Sequence, residues 1–191
     1  MREPMSIHEI VLPETKPETE WILGRAVRKV SPFRTHAMLQ STLGSALKAW
    51  ADRRGDVGTE WRFRPAPEGE IRRPLVPDVS YVSDARLVGL EGPDLEAPPF
   101  SPDVAVEVLS PGERARNVEH KIAVYLATGS SLIIVVDPRD RSVRLHDAHG
   151  VRVLRGDDAI AHPAMPGFSL ALPALFAELE RRRKPAPKRR R

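Results

Sequence analysis

The apolar and polar positions divide the chain into elements before any composition is considered. From Trp21 to Val30 they alternate around Gly24, as a short hairpin at a sheet edge would. Leu39, Leu43, Leu47 and Trp50 then recur at helical spacing, with Ala46 beside them. Ser31-Pro32 supplies a start for that helix, Ser as N-cap and Pro at the first helical position, and Gly55 supplies a stop. The spacing therefore predicts a helix of about five turns. Thr59 to Arg64 alternates with Trp61 and Phe63 on one face, and predicts a first strand. A turn at Glu68-Gly69-Glu70 leads to a second strand over Arg73 to Val82. Ser83 to Phe100 is rich in Gly, Pro and acids and reads as an excursion.

Asp103 to Leu109 predicts a third strand. Ser110-Pro111 can open a helix, and Glu113 completes a capping-box spacing with Ser110. Regular apolar periodicity begins only at Val118, Ile122 and Tyr125/Leu126, which allows a later start; Gly129 ends it. Leu132 to Val136 is wholly apolar and β-branched-rich, the pattern of a central strand. Asp137 to Asp140 turns, and Ser142–His146 and Val151–Leu154 alternate about a turn at His149-Gly150, a hairpin extending the sheet. Pro173 opens a last short helix through Leu175, Phe176 and Leu179. The order predicts an α/β fold with a mixed sheet. The short link makes strands one and two antiparallel, and the helix between strands three and four makes them parallel. The link between two and three permits either sense.

Composition adds boundaries to this picture. A length of 191 residues suits one domain, read as residues 20–180, with a Pro- and Glu-rich flexible segment at 1–19 and a basic disordered tail at 181–191. There are no cysteines, which excludes disulfides and thiolate metal sites. No window has the apolar length of a membrane span, and the N-terminus lacks the apolar core of a signal peptide, so a cytoplasmic protein without membrane contact is expected. The net charge of +4 is misleading, because the tail alone carries eight positive charges and leaves the body at about −4. Pro185 and Pro187 argue against a helix there. A flexible cationic arm, including Arg189, Arg190 and Arg191, would attract phosphates without sequence preference.

Candidate chemistry lies in two of the strands. Glu107 interrupts the apolar run Val104 to Leu109, where a carboxylate is costly unless paired, hydrogen-bonded or bound to a metal. Asp78 lies in the upstream run Leu75 to Val82. If strands two and three are antiparallel, these two acids are neighbours across the sheet, forming a hard-oxygen site suited to a divalent cation. Asp103 is four residues from Glu107, about 13 Å along a strand, and after Pro102 a turn-capping role is its ordinary explanation. Lys121 lies beside the buried stripe of its helix and can reach inward with its stem packed. Spacing alone favours a surface lysine and a turn aspartate. His36 reads as off the Leu39/Leu43 stripe, a helix-surface histidine by spacing, with a supporting or DNA-contacting role as the sharper alternative. Glu60 reads as solvent-facing, and His146, His149 and His162 show no ligand spacing. The absence of a glycine-rich phosphate loop disfavours nucleoside-triphosphate chemistry.

Taken together, Val76-Pro77-Asp78-Val79-Ser80-Tyr81-Val82, Ser101-Pro102-Asp103-Val104-Ala105-Val106-Glu107-Val108-Leu109-Ser110-Pro111, Lys121-Ile122-Ala123-Val124-Tyr125 with Gly129, and Val135-Val136-Asp137-Pro138 resemble the Uma-type restriction-endonuclease family of the PD-(D/E)XK nuclease superfamily. The resemblance runs from about Glu20 to Phe176, taking in Gly24, the Ser31-Pro32 and His36 region, and Pro166-Gly167-Phe168. It implies a restriction-endonuclease-like mixed sheet flanked by helices and a Mg²⁺- (or Mn²⁺-) dependent phosphodiesterase site acting on DNA. It makes Asp78 and Glu107 the metal-binding acids and Lys121 the lysine, moved to the helix from the superfamily position occupied here by Leu109. His36 and Asp103 are possible supporting residues. The chain departs from the family at Ile133-Ile134, where an aromatic pair is frequent, and at Asn117, where an acid is common.

Two function classes follow: a metal-dependent endonuclease, or a binding module that keeps the fold without the chemistry. Geometry separates them, since the module would leave Asp78 and Glu107 apart or Lys121 in solvent. A homodimer fits an enzyme that cuts both strands, but no interface is legible in the sequence.

Overall fold

The computed structural model describes residues 19–28 and 33–180. Ser31-Pro32, the segment 1–18 and the tail with Arg189, Arg190 and Arg191 lie outside the described residues. β1 (Thr19–Ile22) and β2 (Arg25–Arg28) form an antiparallel hairpin, with Ile22 opposite Arg25. Its two turn residues, Leu23 at φ 50° and Gly24 at φ 75°, both occupy the left-handed region that two-residue hairpins with the native strand twist require. Leu23 bears a conformational cost there that Gly24 does not. The hairpin was expected at a sheet edge; it is a separate two-stranded sheet, joined to the main body by the Trp21 amide donating to the Pro74 carbonyl.

α1 (Arg34–Ala51) buries His36, Leu39, Gln40, Leu43 and Leu47, one stripe at helical spacing. His36 is therefore on the stripe rather than off it, three residues before Leu39 and seven before Leu43. The main sheet has the order β3-β4-β5-β6-β7-β8, from β3 (Gly55–Thr59), β4 (Val79–Ser83), β5 (Val104–Val108), β6 (Leu132–Asp137), β7 (Ser142–Asp147) and β8 (Gly150–Leu154). β5 and β6 are parallel and every other neighbouring pair is antiparallel. The helix α4 (Ala115–Ala127) makes the crossover between the parallel strands.

Two strand boundaries differ from the sequence reading. The first strand is Gly55–Thr59, not Thr59–Arg64, and Gly55 begins it rather than stopping the helix. Its composition, GDVGT, gives almost no strand signal. What selects it is close approach: a Cβ at position 55 would lie 2.1 Å from the Val82 carbonyl oxygen, so only glycine fits. The second strand is Val79–Ser83; within residues 73–78 the ladder is reduced to an isolated bridge of Leu75 to Phe63. Pro74 and Pro77 have no amide to donate and break a continuous ladder from Arg73. The excursion after β4 contains two short helices, α2 (Asp84–Leu87) and α3 (Gly92–Glu96). A last two-stranded pair, β9 (Ala159–Ile160) and β10 (Leu170–Ala171), precedes α5 (Leu172–Glu180).

Strand alternation fills two cores. Val104, Val106, Ile134 and Val136 meet Leu39, Leu43 and Leu47 of α1 and Leu175 and Phe176 of α5. On the opposite face Ala105, Ile133 and Val135 meet Val118 and Tyr125 of α4. Glu107 shares the parity of Ala105, so strand geometry turns it toward α4.

Candidate active site

The β4–β5 register pairs Val79 with Val106, and the next step outward places Asp78 opposite Glu107. The Asp78 amide donates to the Val106 carbonyl at 2.9 Å, continuing the ladder past the strand end. The Asp78 carboxylate accepts from the Val108 amide at 2.7 Å, so the side chain is tied to the residue following Glu107. Its same oxygen, Oδ2, is 3.0 Å from His36 Nε2. A carboxylate has no proton to give, so Nε2–H is the donor and His36 is fixed as a support of Asp78. Nδ1 is then the buried ring nitrogen without a partner among the described residues.

Glu107 is bracketed from α4. The Tyr125 hydroxyl donates to Oε1 at 2.8 Å and the Lys121 ammonium to Oε2 at 2.5 Å. Lys121 and Tyr125 are one helical turn apart on the same face, so both reach one strand residue. Lys121 also lies 3.1 Å from Glu20 Oε1, and that oxygen accepts from the Val76 amide at 3.0 Å. Asp78, Glu107 and Lys121 are 3%, 5% and 3% exposed, so their interactions are little screened by water.

Burial alone would lower the Lys121 pKa, but the Glu107, Glu20 and Asp78 carboxylates outweigh it and raise the value well above the ordinary lysine range. The amine is an ammonium throughout the working range and has no lone pair with which to take a proton. Burial, reinforced by Glu107 and Glu20, likewise raises the Tyr125 hydroxyl well above its ordinary value and keeps it a donor. Glu20, Asp78 and Glu107 thus surround a single lysine. Among the described residues no group of three or more His, Cys, Asp or Glu side chains is arranged as a metal cage. Asp78 and Glu107 instead offer a two-carboxylate oxygen set, the donor set with which Mg²⁺ is commonly held together with waters and substrate phosphates.

The site is the floor of a cleft of about 520 Å³ between the β1–β2 hairpin and the segment Ser110–Arg114, with the start of α1 at one end. The sequence-predicted residues Asp78, Glu107, Lys121 and His36 come together there. Asp103 does not: it accepts from the Ser83 amide at 2.7 Å and pairs with Arg86 at 3.2 Å, fastening the excursion after β4. Glu60, exposed as expected, nevertheless lines the cleft, and its carboxylate is 3.5 Å from Gln40 Nε2. Gln40 also donates to the Asp78 carbonyl at 2.9 Å. Glu113 reaches back to the Ser110 amide at 3.2 Å, although the helix itself begins at Ala115.

Sequence reasoning missed Glu20, Gln40 and the role of Tyr125. Glu20 carries a usable signal, since it shares a hairpin face with Ile22 and is therefore an acid at a buried position. A tyrosine inside an apolar stripe requires a partner for its hydroxyl, which Tyr125 finds in Glu107. Gln40 follows His36 by one helical turn, a spacing that puts two polar groups on one buried stripe.

Residues 8–173 match the Uma2 family, described as "Putative restriction endonuclease". The chain belongs to that family. Its fold is similar to that in the crystal structure of a "putative nuclease belonging to DUF820" from Anabaena variabilis, with a TM-score of 0.78 and 26% identity over 92% of this chain and 99% of that one. The restriction-endonuclease-like mixed sheet flanked by helices is thus the fold of this Uma2 chain. No curated protein matches it. No helix among the described residues is long and apolar enough to cross a membrane.

Proposed function

We propose that this Uma2 protein is a divalent-cation-dependent endonuclease that hydrolyses phosphodiester bonds in DNA. The observation that carries the proposal is the buried cluster itself: three carboxylates converge on one lysine at the floor of an open cleft. Burying such an excess of negative charge is costly without a cation. Asp78 and Glu107 are the residues that would hold Mg²⁺ or Mn²⁺, and the orphaned His36 Nδ1 is a further sign of a site built for a bound partner. When bound, the cation supplies Lewis acidity toward a phosphoryl oxygen and acidifies a water.

The side chains divide the remaining work. His36 and the Val108 amide hold the Asp78 carboxylate in one orientation. Tyr125 and Lys121 do the same for Glu107. Lys121, whose ammonium form the surrounding carboxylates favour, stabilises negative charge developing on the phosphate. Glu20 holds the ammonium from its other side. The domain division stands as the reading proposed from sequence: residues 20–180 would perform the chemistry, and the tail at 181–191 would add sequence-independent phosphate affinity. Lys121 is buried against Glu107 rather than in solvent, which favours the nuclease reading over a binding module that keeps the fold without the chemistry.

The test is plasmid DNA incubated with the full chain and Mg²⁺ or Mn²⁺, alongside Asp78→Ala and Glu107→Ala. Nicking or linearisation that requires the metal and disappears in both variants is the expected result. Cleavage surviving both substitutions, or no cleavage of any DNA form, overturns the reading.

A further inference from the structure

The rim of the cleft has the opposite character to its floor. Arg25 and Arg28 project from the hairpin on one side, and Arg114 stands at the start of α4 on the other. All three are exposed, and none forms an ion pair among the described residues. At the end of the same cleft Phe33 is 66% exposed, a large aromatic ring left in solvent beside positive charge. Elsewhere in the molecule the large rings have work inside it: Trp50 packs on Tyr81 and Phe168, and Trp61 on Phe63. Among the described residues Phe33 makes no such ring contact.

Asp78, Glu107 and Lys121 are nearly inaccessible from the surface and lie between two walls. A cavity of this size is that of a small-ligand site, room for about two nucleotides of one strand. A strand splayed from its partner can bring a phosphate to this floor and exposes an unstacked base beside the rim. Arginines spaced along a groove with an aromatic ring at its end are the combination that holds single strands, the cations following phosphates and the ring stacking a base.

Resting on the nuclease reading above, we infer that the substrate is a nucleic acid carrying unpaired nucleotides next to the scissile phosphate. Phe33 stacks the unpaired base, and Arg25, Arg28 and Arg114 hold the flanking phosphates. Phe33 is a positioning residue for the substrate and does not touch the reacting atoms.

Binding in EDTA tests this without cleavage, so its outcome is independent of whether the chain hydrolyses DNA. Fluorescent single-stranded, forked and blunt-duplex oligonucleotides are titrated with wild type, Phe33→Ala, Phe33→Trp and the triple variant Arg25→Ala/Arg28→Ala/Arg114→Ala. Phe33→Ala should weaken single-stranded and forked binding about tenfold, leave blunt duplex unchanged, and be rescued by Phe33→Trp. The triple variant should weaken all three and flatten the salt dependence by about three units of slope. Since Phe33 is exposed, its replacement does not open the core, and thermal melting checks this. Equal affinity of wild type for blunt and single-stranded DNA, or a Phe33→Ala effect that is absent or the same on all three, overturns the inference. Failure of the nuclease reading would show separately, as plasmid cleavage indifferent to Asp78→Ala.

Discussion

Lys121 Nζ lies 2.5 Å from Glu107 Oε2, joining the crossover helix to the central parallel pair of strands through two buried charges. The contact gives the site a stable cation of its own before any metal enters. It also makes the site a structural element, because neither partner can be removed without leaving the other charged and dry.

Replacing Lys121 with Met should therefore destabilise the fold by roughly 3–5 kcal/mol, the usual cost of stranding a buried charge. Urea denaturation of wild type and Lys121→Met measures it. A loss below about 1 kcal/mol would mean that Glu107 and Glu20 find water or protonate, and that the pair is not integral to the fold.

Alkaline pH should loosen the same cluster. Lys121 and Tyr125 both have folded pKa values raised above their unfolded ones. Groups shifted in that direction stabilise fully below the unfolded pKa, and the contribution is lost as pH rises through the folded value. The unfolded values lie near 10 for both, so stability should be unaffected by these groups up to about pH 9 and decline above it. Tyr125→Phe removes one of the two and should make the decline shallower. Melting temperatures from pH 7 to 11 check this, and an identical decline in both proteins would contradict it.

Gly55→Ala should cost about 1–3 kcal/mol by overpacking, since the new methyl meets the Val82 carbonyl oxygen, the Ser83 Cα and the Tyr81 ring, all within 2.8 Å. Thermal unfolding measures the loss. Gly69→Ala is the matched control: its added Cβ meets no atom, leaving only the cost of a left-handed backbone.

Much of this architecture is legible in the sequence because periodicity and burial agree. The run Leu132–Val136, the hairpin to Leu154 and the α1 stripe are each specified by their own side chains. β3 was not legible, because Gly55–Thr59 is selected by backbone pairing and by the space that glycine leaves rather than by apolar alternation. Glu107 stands out as a charge in an apolar run, whereas Asp78 and Lys121 are singled out by the family resemblance, spacing alone favouring a turn aspartate and a surface lysine. Glu20 shares the hairpin face of Ile22, but the partners that hold it, the Val76 amide and Lys121, come from distant segments that no local pattern names. His36 lies three residues before Leu39, a helical phase that puts it on the buried face of α1 rather than on its surface.

Whether Asp78 and Glu107 act as one metal site is tested most directly by single-turnover cleavage with Mg²⁺. Rates are measured for wild type, Asp78→Asn, Glu107→Gln and the double variant across a Mg²⁺ titration. Each isosteric single variant should lose at least a thousandfold in rate, and the double variant should lose no more than either, because residues acting as a unit are not additive. Multiplicative losses, or a single variant cleaving at the wild-type rate, would contradict the shared site.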